Sequence, residues 1–258
     1  MDSTHQQLYE FLEEKASFYN NPTFIESDPI SIPHLFTKKE DVEIAGFLAA
    51  TLAWGQRVTI INKSSELMQR TDNAPFDFVY NATAKDIAGF SSFVHRTFQG
   101  IDCMYFMLAI QQIYLKSGGL ETVFTNGYLP NKSIKESICH FRDIFFGFEH
   151  LHRSRKHVPD PKSGSAAKRI NMYLRWMVRN DGKGVDFGIW KEINPSDLLC
   201  PLDLHSGKIA RKLGLLNRKP DDWQAVEELT DNLRQFDSVD PVKYDFALFG
   251  IGVNEKYF

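Results

Sequence analysis

DVEIAGFLAATLAWGQRVTIINKSSELMQR, residues 41–70, decides the fold class. Its run from Ala45 to Trp54 is apolar on nearly every side, the pattern of a helix buried all round rather than one lying on a surface. Thr37-Lys-Lys-Glu40 precedes it with capping-box spacing, Thr37 serving an early amide and Glu40 reaching back. Gly55 breaks or bends the run, and a second helical stretch continues to about Arg70 before the Asn73-Ala-Pro75 turn signal. The apolar run is far too short to cross a bilayer.

Working outward, the same grammar repeats. Residues 100–119 read as another mostly buried helix closed by a glycine pair, and residues 134–148 as an amphipathic one. His150 to Ser165, with Pro159, Pro161 and Gly164, reads as an exposed connector. Ser165 is placed to cap a helix running to about Arg179, which Asp181-Gly-Lys-Gly184 ends. Asn194-Pro195 and Cys200-Pro201-Leu-Asp203 open two further helices, Asp221-Asp222 caps the next, and Asp240-Pro241 opens the last. No segment shows sustained strand alternation, and no repeat is present. The fold class is therefore all-α, one body with two lobes, with the 21 Phe, 9 Tyr and 4 Trp mostly filling the core.

Composition narrows the function. The chain has 258 residues, 43% apolar and 24% charged, enough for a sizeable core and unlike a disordered or fibrous chain. MDSTHQQLYEFLEEK at the N-terminus has no basic-then-apolar signal pattern, so export is not expected. Cys103, Cys139 and Cys200 are scattered and form neither a CxxC nor a disulfide framework, which suits a reducing cytoplasm. The net charge of −3 hides an asymmetry: residues 150–219 hold fifteen Lys/Arg against six Asp/Glu, and the remainder is acidic. Fields act locally, so a polyanion partner stays open despite the average.

Two helix starts in that basic stretch carry candidate chemistry. On a helical wheel of residues 166–179, Ala166, Ala167, Ile170, Leu174, Met177 and Val178 share an apolar face. Lys168, Arg175 and Arg179 fall together opposite it, beside Met172. The next wheel, Leu204–Leu213, turns Lys208, Arg211 and Lys212 outward, with Asp203 at its N-cap. By residue type alone, a lysine after a turn is ordinarily a surface charge and an aspartate before a helix ordinarily a cap.

Context adds to this. Gly164-Ser-Ala-Ala-Lys168-Arg-Ile-Asn171-Met-Tyr-Leu174 resembles the hairpin and following helix of the helix-hairpin-helix DNA glycosylases, among them endonuclease III. In that family a glycine-rich hairpin precedes a catalytic lysine. Pro201-Leu-Asp203-Leu-His205 resembles the family's second signature, a catalytic aspartate at a helix start. Leu52-Ala-Trp-Gly-Gln56 resembles the long helix that ends in a glutamine near the flipped base. The interval from Lys168 to Asp203 is more similar to the archaeal 8-oxoguanine glycosylase branch, and the whole chain resembles a bacterial family of unknown function near it. Ala166 departs from the pattern, which has a second glycine there, and the iron–sulfur cysteines of endonuclease III are absent.

The resemblance implies a helical-barrel lobe with a hairpin over about residues 40–180, and a second lobe from residues 1–39 plus 181–258. It implies base excision without a cofactor or metal, by a cytoplasmic monomer acting on double-stranded DNA with a damaged base or abasic site. Lys168 would attack the sugar C1′, with AP-lyase activity as a further step, and Asp203 would assist. For attack Lys168 must be neutral, and Arg175 and Arg179 would favour that as neighbouring cations. Gln56 would contact the base or wedge the strands. Arg153, Arg155, Lys156, Lys162, Gly164, Arg169, Arg175, Arg179, His205, Lys208, Arg211 and Lys212 would form the phosphate-binding surface. Three other readings remain open on the same residues. One is a non-catalytic nucleic-acid-binding protein of the same fold, on DNA or RNA. Another is a metal-dependent hydrolase using His150, His152 and His157. The third is a helical adaptor.

Overall fold

The computed structural model describes residues 3–255; its regular structure is almost entirely helical, and the longest connections between α-helices are 146–167 and 179–203. It divides into two compact units, one formed by Met1–Glu26 with Pro161–Phe258 and the other by Ser27–Asp160. The discontinuous unit begins with α1 (Ser3–Tyr19) and α2 (Thr23–Glu26). The continuous unit follows, with α3 (Lys39–Leu52), α4 (Arg57–Gln69), α5 (Pro75–Asn81), α6 (Ala84–Ala88), a small hairpin β1 (Val94–His95) and β2 (Phe98–Gln99), α7 (Gly100–Lys116), α8 (Leu120–Tyr128) and α9 (Ile134–Phe145). The chain then returns to the first unit for α10 (Lys168–Val178), α11 (Leu204–Lys212), α12 (Trp223–Arg234) and α13 (Tyr244–Asn254). The division therefore falls at 26/27 and 160/161, rather than at the lobe limits the sequence suggested, and α10 lies with the C-terminal helices.

In the continuous unit, α3 is buried from Val42 through Leu52, as its unbroken apolar character requires. Phe47 sits within 6 Å of the ring centroids of Phe106, Phe141 and Phe145, so α3, α7 and α9 share one aromatic core. Each such ring contributes about 1.5–3 kcal/mol by burial. Gly55 adopts φ +110° and ends the buried run before α4 begins, and Gly118 and Gly119, both at positive φ, close α7. Asp72 and Asn73 make the expected turn in left-handed conformations, and Pro75 starts α5.

Several local expectations change. The Thr37–Glu40 capping box does not form: α3 starts one residue later, with Lys38 at the N-cap and no side-chain cap bond. Asp41 in its first turn accepts the Phe76 amide at 2.8 Å, a tertiary contact rather than a cap. The β1–β2 hairpin was not foreseen, because two residues per strand are too few to show alternation. Asn194-Pro195 opens a single 3-10 turn, Pro195–Asp197, and not a full helix. Asp240-Pro241 likewise opens a 3-10 turn before α13, and the Asp240 side chain leaves its cap role to bind Arg179.

The segment from His150 to Ser165 is not a free exposed loop. Ser154 and His157 are buried, and Ser154 donates to Asp102 Oδ1 at 2.7 Å while the His157 ring lies 3.4 Å from Asp102 Oδ2. Arg142 holds the end of this segment through the Val158 carbonyl and Asp160. Asp102 carries no solvent exposure, so these donors supply what water cannot.

In the discontinuous unit, α1 and α11 pack on α13. Gly250 gives α1 its close approach, since a Cβ there would lie 2.2 Å from the Tyr19 ring. Among the described residues no helix is long and apolar enough to cross a membrane.

Candidate active site

The hairpin before α10 is built differently from the expected pattern, and its geometry sets Lys168. Gly164 takes φ +90° with nothing crowding a Cβ there, so backbone conformation rather than space selects glycine. The left-handed residue at the helix start is Ala167, with φ +46° and ψ +35°; Ala166, where the family pattern has glycine, does not have positive φ. Ser165 does not cap α10. Its hydroxyl reaches only the Ala167 amide, and its backbone forms a bridge to Asp222. The Trp223 amide donates to the Gly164 carbonyl at 2.9 Å, while Asp222 caps α12 and binds Arg218. The hairpin is thereby fastened to the start of α12. From the other side, buried Asn171 donates to the Ala166 carbonyl at 3.1 Å.

These contacts put Lys168 at the first position of α10, half-exposed, with Nζ 3.7 Å from Asp203 Oδ2. The same amine lies 3.7 Å from Met172 Sδ. The pair is close but not locked by a short hydrogen bond.

Asp203 divides its two oxygens between two tasks. Oδ1 accepts the amides of His205 and Ser206 at 2.9 and 3.0 Å and the Ser206 hydroxyl at 3.2 Å. Ser206 Oγ in turn accepts the Asp203 amide, completing a capping box at the start of α11. Oδ2 is left to face Lys168. Burial lifts the Asp203 carboxyl, but the Lys168 charge and the amides of Ser206 and His205 outweigh it and hold it below the usual carboxylate range. The cap thus fixes an ionised carboxylate beside an amine.

Arg175 and Arg179 do not join that exposed pair. From Ile170 to Arg179 every residue of this segment is buried, and the two arginines are only 3% and 2% exposed. Arg175 binds Asp186 through Nε at 3.2 Å and Asp245 through Nη1. Arg179 binds Asp186, Asp240 and Asp181, each at 2.9 Å. The expected basic face of α10 therefore reduces to Lys168, because four carboxylates neutralise the other two cations. They add no excess positive charge beside Lys168 and present none to a phosphate.

The remaining expected contacts separate by unit. In the discontinuous unit Lys162, Gly164, His205, Lys208 and Lys212 are exposed and Arg169 is half-buried. Arg211 is tied to the carbonyls of Arg218 and Lys219 and to Asp221. In the continuous unit Gln56 is exposed at the N-cap of α4, without a side-chain cap bond, and Lys156 is exposed. Arg153 is bound to Gln99, to the Thr97 carbonyl and to Asp102, and Arg155 lies against His150 and the Phe146 ring. His150 Nδ1 is 2.7 Å from the Phe148 carbonyl. Among the described residues no group of three or more His, Cys, Asp or Glu side chains is placed to hold a metal ion.

One buried carboxyl that holds Arg175 carries no signal in the sequence. Asp245, in the first turn of α13, is 7% exposed. It stands 70 positions from its partner Arg175 and carries no motif.

Neither the curated proteins nor the solved structures contain a match to this sequence. Residues 28–254, a span that holds Lys168, Asp203 and Asp245, match a family described as protein of unknown function (DUF2400). The chain belongs to the DUF2400 family.

Proposed function

We propose that the chain is a DNA glycosylase-like enzyme that excises a base with Lys168 as nucleophile and Asp203 as its charged assistant. The observation that carries this reading is the approach of Lys168 Nζ to Asp203 Oδ2, each delivered by the start of a different helix. The resemblance of both segments to the helix-hairpin-helix glycosylases supports it. The target nucleotide would first leave the base stack. The neutral Lys168 amine would then attack C1′, forming a C–N bond as the N-glycosidic bond breaks and its electron pair leaves with the base. The proton lost by the amine passes by way of Asp203 or solvent to the departing base. Ring opening gives a protonated imine. Water then releases the lysine and an abasic site, or β-elimination cleaves the strand as a lyase would. Asp203, held ionised, stabilises the positive charge that grows on the sugar. Lys162, Lys208 and Lys212, all in the same unit as the pair, would supply sequence-blind phosphate contacts.

The test is covalent trapping. DNA duplexes carrying an abasic site or a panel of damaged bases are incubated with the protein and borohydride, which reduces the imine to a stable adduct. An adduct in the wild type that disappears in Lys168→Ala supports the proposal. No adduct across the panel, or an undiminished adduct in Lys168→Ala, overturns it.

A further inference from the structure

Two cations of α10 are held in different ways. Arg175 has carboxylates on two sides, Asp186 and Asp245, and its guanidinium lies 4.2 Å from the Phe246 ring centroid. Lys168 has one carboxylate, and its second neighbour is a thioether: Nζ lies 3.7 Å from Asp203 Oδ2 and 3.7 Å from Met172 Sδ. Met172 stands four residues on, one turn along the same face of the helix. Every residue from Ile170 to Val178 is buried, Met172 included. The sulfur therefore belongs to the packed part of the helix, while the lysine at its start stays half-exposed.

A thioether does here what a carboxylate would not. Sulfur is a weak, neutral acceptor of an N–H. A second carboxylate would favour the charged ammonium, whereas sulfur accepts an N–H without adding a negative charge. The lysine nitrogen is tetrahedral. In the neutral amine one corner is Cε, one N–H is drawn by the Asp203 charge, and the other is taken by Met172 Sδ. The corner that remains belongs to the lone pair, so the two neighbours set the direction of attack.

We propose that Met172 is a positioning residue for Lys168: its thioether, 3.7 Å from Nζ, takes one N–H of the neutral amine and, with Asp203, aims the lone pair. The inference rests on the reading of Lys168 as the nucleophile. It gives a task to a side chain that would otherwise count only as core. The two roles make opposite demands on a replacement. Leucine matches methionine in volume and apolarity but accepts nothing. Glutamine matches its length and supplies an oxygen, at the cost of polarity in a buried place.

The experiment traps the wild type, Met172→Leu and Met172→Gln with borohydride on abasic-site duplex over a range of DNA concentrations. The rate constant at saturation and the half-saturating concentration are thus read separately. Met172→Leu lowers the saturated rate about tenfold, the effect of a reacting atom left unaimed. Half-saturation stays unchanged, because affinity comes from phosphate contacts. Met172→Gln regains part of the rate, so the order is wild type, Gln, Leu. An order in which Leu equals the wild type and Gln is lowest makes Met172 packing and overturns the inference. A loss in Leu confined to half-saturation overturns it too. Where Met172→Gln does not fold, Met172→Leu decides alone: an unchanged saturated rate overturns the inference.

A second measurement needs no DNA. In protein labelled at methionine methyl carbons, the Met172 resonance is assigned by its loss in Met172→Leu. It shifts in Lys168→Leu, which removes the N–H donor. An unmoved resonance overturns the amine–thioether contact. The two readings fail separately. A shifted resonance without any wild-type adduct supports the contact and removes the glycosylase proposal. An adduct with Leu equal to the wild type does the reverse.

Discussion

Lys168 and Arg175 stand two turns apart on one helix, and both are cations that the sequence placed on one face. Lys168 is half-exposed, and its nearest carboxylate oxygen is 3.7 Å away. Arg175 is buried and joined to two carboxylates, Asp186 and Asp245. A buried charge must be paired to be tolerated, whereas one at a helix start can stay loosely engaged and available. The difference separates a residue suited to react from one suited to hold.

Four substitutions break or sharpen that contrast, and the first has the largest expected effect. Lys168→Ala removes all adduct in borohydride trapping while leaving the denaturant midpoint near that of the wild type. A large loss of stability would instead make Lys168 a structural residue like Arg175.

Asp203→Asn comes next and separates the two tasks of that carboxyl. Asparagine caps helices about as well as aspartate, so α11 keeps its start and stability at pH 7 changes by about 1 kcal/mol or less. Trapping slows by about 10²–10³, the scale for losing one preorganised electrostatic group. An unchanged rate reduces Asp203 to a cap. Stability gives a second readout. Because folding lowers the Asp203 carboxyl below its ordinary 3.8, its contribution is present above that value and is lost as pH falls through the folded one. Any stability gap between wild type and Asp203→Asn therefore closes at acid pH.

Arg179→Met tests the buried side of the contrast. It leaves Asp186 and Asp240 without their shared cation and costs about 3–5 kcal/mol in urea unfolding. A loss under 1 kcal/mol would mean that the network is not supporting the fold.

The smallest effect is expected from Lys208→Ala, an exposed side chain on α11. If it touches phosphate, DNA binding weakens about equally for all sequences and the salt slope falls by about one. An unchanged slope places Lys208 off the DNA path.

Much of the local grammar was legible from short-range chemistry. Gly55 ends α3, Pro75 starts α5, and Asp203 and Asp222 cap α11 and α12, since each such effect acts within one turn of the residue. Thr37 does not cap because α3 starts one residue later, with Lys38 at its N-cap. Ser165 does not cap α10 because its backbone bridges to Asp222 and α10 starts after Ala167. The Lys168 and Asp203 segments stood out in the sequence, but their separation in space did not, because they stand 35 positions apart in the chain.

By itself the sequence determined the helical class, through apolar runs and punctuation that act locally, and it singled out two helix starts with unusual chemistry. Only the tertiary structure decided which cations are free to meet a partner. Arg175 finds its counter-charges 11 and 70 positions away, and Arg179 finds Asp240 61 positions away. No wheel drawn on one helix contains those carboxylates. Burial makes such pairing obligatory, so the charge a helix displays to solvent depends on the other helices packed against it.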